Sequence, residues 1–585
     1  MKRAHEFVIF LALWFLWCGL AYALPNEINY NVEAVLDTQK NIIMGREEVS
    51  FTNKTGHDLS ELYFHVYPNA FKRGANSQYQ RDLWALAGID PARIYANPAD
   101  DAVIEIRSVR ADGRPLAFYG CGAAAACGAA ADDTLMRVSL DKALKDGETI
   151  NLNIDFVYDL MEATAEALWA ASLAVRSGHR AGVYTIALWY PKVVVYDQKG
   201  WNLEPYRYIG EFYGDFGDYL VQLTVPEELI VGSTGELLEE RANPDGTKTL
   251  VFRAERAHDF AWVASSRFQI KGLIWNGILV RTLHLNKPFI AEIALEVLRY
   301  FSEQFGLYGY KQLTVAQVTV GGGMEYPAVI MIAGGGEVEI THEVAHQWWY
   351  GAVGNDETTE AWLDEAFAVF SEELFKIKRR GLPLSSRSSF YFREPGIPLL
   401  TPANQFTSLN LYFEAVYRKG SGVLWMLLGL LGEEALIKTL KTYYERFKFK
   451  NATTSDFVAV VEEASKQELD WFFDQWLRTT KTLDFFIDSV RIQRLEDGSF
   501  LNSFIAKRAG EAVMPVRIAL FFQDGTLREE QWDGLAEAKE FSIKAGTRLI
   551  GIVIDPDGLL LEENRANNAW KSPQLLKLTS RYNLL

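Results

Sequence analysis

The apolar period of this 585-residue chain changes near Ile290, and that change limits the folds open to it. Before it, apolar and polar residues alternate over 28–37, 47–52, 62–66, 136–140, 150–158 and 219–225, as strands with one buried face require. Asp112-Gly113, Asp146-Gly147 and Asp245-Gly246 punctuate these runs as turns. From Ile290 the spacing is helical, with Ile290, Ile293, Val297 and Tyr300 on one stripe. A strand is predicted over 312–320, and helices over 339–350, 359–376, 421–431, 434–447, 454–466 and 469–477. After Thr482 alternation returns over 485–495, 513–522, 531–543 and 549–554.

A chain of this length exceeds one core, so several domains are expected. The reading is a multidomain α+β chain: an antiparallel β domain over 24–268, a mainly helical domain over 269–481, a small β-sandwich over 482–566 and a tail over 567–585. Residues 75–100 read as a long loop, and the alanine-rich 161–175 as a helical insertion.

Hydrophobic content of 49% and aromatic content of 13% describe a globular chain. A net charge of −17 argues against a nucleic-acid partner, which needs a basic surface. Lys2 and Arg3, the apolar run 7–20 and Ala21-Tyr22-Ala23 make 1–23 a signal peptide or, if retained, an anchor. A run of 14 is short of the roughly 20 residues a membrane span needs. The expectation is an exported protein, touching a membrane only through that segment. Cys121 and Cys127, six apart, are either a small disulfide loop or two inert thiols.

His342-Glu343-Val344-Ala345-His346 carries the chemistry. Two histidines four apart share a helix face and can reach one metal ion. Glu343 projects beside that ion, where it can take a proton from a water. Glu365 supplies a third ligand from the next helix, and three protein ligands leave one position open. The segment 286–481 contains no cysteine, which disfavours a structural site. Ligand type points to zinc, one per chain.

Three other segments stand near this motif only by inference. Gly321-Gly322-Gly323-Met324-Glu325-Tyr326-Pro327 follows the 312–320 strand. Its glycines allow close backbone approach by a ligand, and Glu325 can hold a cation such as a substrate ammonium. Tyr417 opens the 421–431 helix and can donate to an oxyanion, although one tyrosine among 26 is more often a packing residue. Glu372 lies seven residues after Glu365 on the same helix face and can orient a ligand histidine.

These residues resemble the aminopeptidase N-like zinc peptidases, the gluzincin aminopeptidases. The family's His-Glu-x-x-His, eighteen residues, then Glu is matched by His342, Glu343, His346 and Glu365. Gly322, Met324 and Glu325 match Gly-x-Met-Glu-Asn, with Tyr326 in place of Asn, and Tyr417, Lys419 and Gly420 match Tyr-x-Lys-Gly. Gln347-Trp348-Trp349 and Trp362–Ala368 are similar to the family's flanks, with Ala366 where Gly is usual. The long helical C-terminal domain of many members has no counterpart here.

The resemblance implies a thermolysin-like catalytic domain with zinc on His342, His346 and Glu365. It implies Glu343 as general base, Tyr417 as oxyanion donor and Glu325, with Gly322, Gly323 and Met324, as the amino-terminus site. Glu372 takes the place of an outer acid. The implied activity is removal of the first residue from peptides. An endopeptidase with an open cleft and a non-catalytic peptide-binding protein stay open as alternatives.

Overall fold

The computed structural model describes residues 28–95, 101–123, 127–162, 177–319, 322–386 and 393–572. The 1–23 segment and nearly all of 161–175 lie outside them.

The alternating first third builds an eight-stranded sheet. Its order is Glu236–Ala242, Thr247–Ala257, Gly217–Pro226, Ile28–Asp37, Ile42–Thr52, Thr149–Asp159, Val103–Ala111 and Arg114–Pro115. Ile28, Tyr30, Val32, Ala34 and Leu36 are buried, and the residues between them are not. They share a core with Val49, Leu152, Ile154, Phe156 and Val221. The expected antiparallel sheet contains one parallel pair, Ile28–Asp37 beside Gly217–Pro226. Alternation reports which face is buried and not which way a neighbour runs, so the sequence could not show this.

Residues 78–87, read as loop, form the helix Gln78–Ala87. Ser77 caps it by accepting from Gln80 N, and Gly88 ends it in the left-handed region at φ 69°. Those two caps were visible; the apolar stripe was not, because Tyr79 and Leu83 are its only buried apolar residues.

The second region begins on a four-stranded sheet, Gln269–Trp275, Ile278–His284, Gln312–Gln317 and Val329–Ile332, whose last two junctions are parallel. Helix Ile290–Phe305 buries Ile290, Ala294, Val297, Leu298, Phe301 and Phe305 as its period requires. Helices Glu337–Ala345, Trp362–Arg379, Gly420–Leu431, Glu433–Phe447, Thr454–Ser465 and Asp470–Leu477 follow, packed in one cluster. Among the described residues no helix is long and apolar enough to cross a membrane.

Two small antiparallel sheets close the chain. One contains Asp484–Arg494, Phe500–Ala509 and Ala538–Ala545; the other contains Leu527–Trp532, Val516–Phe522, Leu549–Ile554 and Ala569–Lys571. Phe485 meets Trp532 edge-on at 5.2 Å between them. The single strand predicted over 531–543 is two, broken at Asp533-Gly534 where Gly534 takes φ 69°. Ala569–Lys571, read as tail, pairs with Leu549–Ile554. These sheets dock on the helices: Gln475 Nε2 donates to Val513 O at 2.9 Å, and Trp476 lies against Met514.

Between the first sheet and the helices runs 202–216, a stretch without regular secondary structure. It carries β-region residues into the helical region.

Candidate active site

Helix Glu337–Ala345 turns Ile340, Val344 and Ala345 into the core. That leaves His342 and, one turn on, His346 facing helix Trp362–Arg379. The helix predicted over 339–350 stops at Ala345, because Gln347 N and Trp348 N bond three residues back, to Val344 O and Ala345 O. The tightened turn brings Trp349 O to 3.1 Å from His346 Nδ1. A carbonyl only accepts, so Nδ1 holds the proton and Nε2 faces the cavity.

His342 Nε2 and His346 Nε2 lie 3.1 Å apart, and Glu365 Oε2 lies 3.2 Å from the first and 3.3 Å from the second. A tetrahedral ion with bonds of about 2.0–2.1 Å keeps its ligand atoms about 3.3–3.4 Å apart. The three donors already hold that triangle, so this set fits zinc. Glu372 Oε2 is 3.6 Å from His342 Nδ1 and its Oε1 accepts from Lys376 at 2.7 Å. That is ion-pair range, just beyond a hydrogen bond.

Glu343 is buried beside the triangle, and its Oε2 has no hydrogen-bond partner among the described residues. Burial pushes its carboxyl up to about 8, with Glu325 adding to the effect and His342 opposing it. Burial pulls His346 down, but Glu365 overrides it and the imidazole rises to about 10. Burial also works against ionised Glu365, yet the two imidazoles hold it well below the usual carboxylate range. Without a cation the triangle therefore holds protons that a metal must displace.

Glu325 is 4% exposed, with Oε1 unpartnered among the described residues, and lines the same cavity as Gly322, Gly323, Glu343 and the three donors. Met324 pairs with Met331 on the sheet-edge strand Val329–Ile332. Gly323 is needed for closeness: a Cβ there would lie 1.9 Å from Glu343 Oε1.

Tyr417 sits in a wide π-helical turn, Phe413–Lys419, rather than at the simple helix start expected. Its hydroxyl donates to Glu365 Oε1 and its ring stacks near His342, centroids 6.2 Å apart. Burial, then Glu365, keeps the phenol protonated far above its ordinary value.

Glu211 and Glu357 escaped the sequence reading, and Gln347 entered it only as part of a flank, without a role. Gln347 Nε2 donates to Glu325 O at 3.1 Å and Tyr326 O at 3.2 Å, while its Oε1 accepts from Ala328 N at 2.8 Å. It ties the Glu325 segment to the histidine helix. Glu211, from the irregular 202–216 stretch, offers an oxygen within 4.8 Å of Glu325 and Glu365. Glu357 holds the backbone beside Glu211, accepting from Phe212 N at 2.6 Å. Only Gln347 had a signal, its place directly after His346; the other two meet across more than a hundred residues.

Residues 398–476 match the Peptidase family M1 domain. Over 227 residues the chain is 26% identical to aminopeptidase N of Streptomyces lividans, covering 34% of this chain and 26% of that protein. Over 153 residues it is 33% identical to human glutamyl aminopeptidase, covering 24% and 16%. The chain thus spans about a quarter or less of the length of such relatives. Its fold is similar to Legionella pneumophila aminopeptidase A in complex with aspartic acid, at TM-score 0.66 and 13% identity, covering 94% of this chain and 60% of that one. It is also similar to an M1 zinc metallopeptidase from Deinococcus radiodurans, at TM-score 0.56 and 15% identity, covering 78% and 96%. With the triangle of His342, His346 and Glu365 in place, these matches make the chain similar to the aminopeptidase N-like zinc peptidases, with the Peptidase family M1 match confined to 398–476.

Proposed function

We propose that the protein is a zinc-dependent aminopeptidase that hydrolyses the first residue from peptides. One observation carries the reading: a preset triangle of metal donors shares a cavity with two buried glutamates, Glu343 and Glu325, that each keep an oxygen unpartnered among the described residues. His342, His346 and Glu365 would hold zinc, which would supply Lewis acidity and lower the pKa of a water at the open position. Glu343 Oε2 receives that water's proton and later delivers it to the leaving amine. Tyr417 Oη donates to the carbonyl oxygen as it gains charge. Glu325, with Glu211, holds the substrate ammonium and so sets cleavage after one residue. Glu372 steadies His342 through its Nδ1.

The finer architecture belongs to the same proposal. We read 24–268 as the N-terminal β domain, 269–481 as a thermolysin-like catalytic domain and 482–566 as a β-sandwich. Export is part of it too, supported by the 1–23 pattern and by a disulfide joining Cys121 and Cys127.

The test pairs a free-amine peptide with its N-acetylated form, each with and without a chelator. Hydrolysis should vanish with the chelator, return with zinc, and be at least about a hundredfold slower on the blocked peptide, whose ammonium contact is lost. Equal rates on both peptides would remove the amino-terminal reading.

A further inference from the structure

The 202–216 stretch has no ladder of its own, yet it must present Glu211 to the cavity within a few tenths of an ångström. Its backbone at Phe212 is gripped from both sides by one residue. Glu357 Oε2 accepts from Phe212 N at 2.6 Å, and Glu357 N donates to Phe212 O at 3.3 Å. Glu357 is fully buried, and it lies five residues before the helix Trp362–Arg379 that carries Glu365. The loop between is itself tied down: Asn355 Nδ2 donates to Glu360 O and Asp364 Oδ1, and Asp356 accepts from Thr358 N. On the other side Gly210 turns at φ 90°, where a Cβ would lie 2.6 Å from the Ala403 Cβ. Phe212 is buried and stacks on Tyr206, so the grip acts on a segment with little room to move.

We infer that Glu357 is a positioning residue: by clamping Phe212 it fixes Glu211 against the substrate's amino terminus and couples that anchor to the metal-ligand helix. The inference rests on the aminopeptidase reading above. Glu357 touches neither substrate nor metal in this role. Burial beside Asp364 keeps its carboxyl well above the usual range, so glutamine, which keeps the acceptor oxygen, is a close stand-in for it.

The experiment measures kcat, KM and zinc content of the full chain on a free-amine peptide. Losing one buried hydrogen bond at the clamp, Glu357→Ala should raise KM roughly tenfold with kcat held within about twofold. Zinc content should not change. Glu357→Gln should restore the wild-type KM. Glu357→Asp, which withdraws the oxygen from Phe212 N, should behave like alanine and serves if the alanine variant does not fold. In a Glu211→Gln background, Glu357→Ala should add less than about twofold, because it acts through Glu211. An unchanged KM in Glu357→Ala, a glutamine variant as impaired as alanine, or a full additive effect on Glu211→Gln overturns the clamp. Equal wild-type rates on free and N-acetylated peptide would instead overturn the aminopeptidase reading, so the two failures are separable.

Discussion

Two buried glutamates, one in each half of the molecule, show what burial of a charge means. Glu343 in the helical region and Glu47 in the eight-stranded sheet both lack hydrogen-bond partners among the described residues, Glu47 at both oxygens. Burial raises the carboxyl of each. The difference is what lies in front of them. Glu343 faces a cavity with the donor triangle, Glu325 and Tyr417. Glu47 is fully buried in a closed core, with Tyr30 and Tyr219 near enough to feel its charge. An unpartnered buried carboxyl beside a cavity is a reactive group; inside a packed sheet it is only a cost.

Substitution should separate the two. Glu343→Gln is expected to lower kcat about 10³–10⁴-fold with zinc content intact, as loss of a general base does. A variant that keeps wild-type turnover would end the proposed mechanism. Tyr417→Phe should lower kcat about 10²–10³-fold while KM holds, as loss of an oxyanion donor does. A change confined to KM would make that tyrosine a packing residue instead. Glu372→Gln should weaken zinc about 10–100-fold, read by competition with a chelator.

Glu47→Gln should leave activity alone and instead stabilise the fold by about 1–2 kcal/mol at pH 7. The sign follows from the raised folded pKa. Below the ordinary value of 4.5 both states are protonated and nothing is lost. Above it the unfolded chain ionises first, so stability falls as pH rises towards the folded pKa. The gain from glutamine should therefore appear in melts at pH 7 and fade by about pH 4. A gain equal at both pH values would show that the charge is not the cause.

Much of the molecule was legible because burial writes a period. Ile28–Asp37 and Leu549–Ile554 were read at their full length, and Thr454–Ser465 to within one residue, since each has one face in a core. The helix Gln78–Ala87 was not, since two buried apolar residues make no stripe. The π-helical turn under Tyr417 was also invisible, as a wide turn leaves no mark in residue type. The 531–543 strand broke where a glycine turn outranked a weak alternation.

The donor residues needed no fold to be named. His342, Glu343 and His346 sit within one helical turn of each other, so local geometry alone aims the histidines together, and Glu365 was named by its separation from them. Glu325 and Tyr417 were named by resemblance, and folding brought them to the same cavity. Glu211 and Glu357 belong to a different kind of knowledge. They meet through the bond from Phe212 N to the Glu357 carboxylate, between residues 145 apart, and no periodicity or spacing records a contact at that range. Chemistry carried by neighbours in sequence is visible in the sequence; the support that holds it at working distance comes from remote strands and loops, and appears only when the chain is packed.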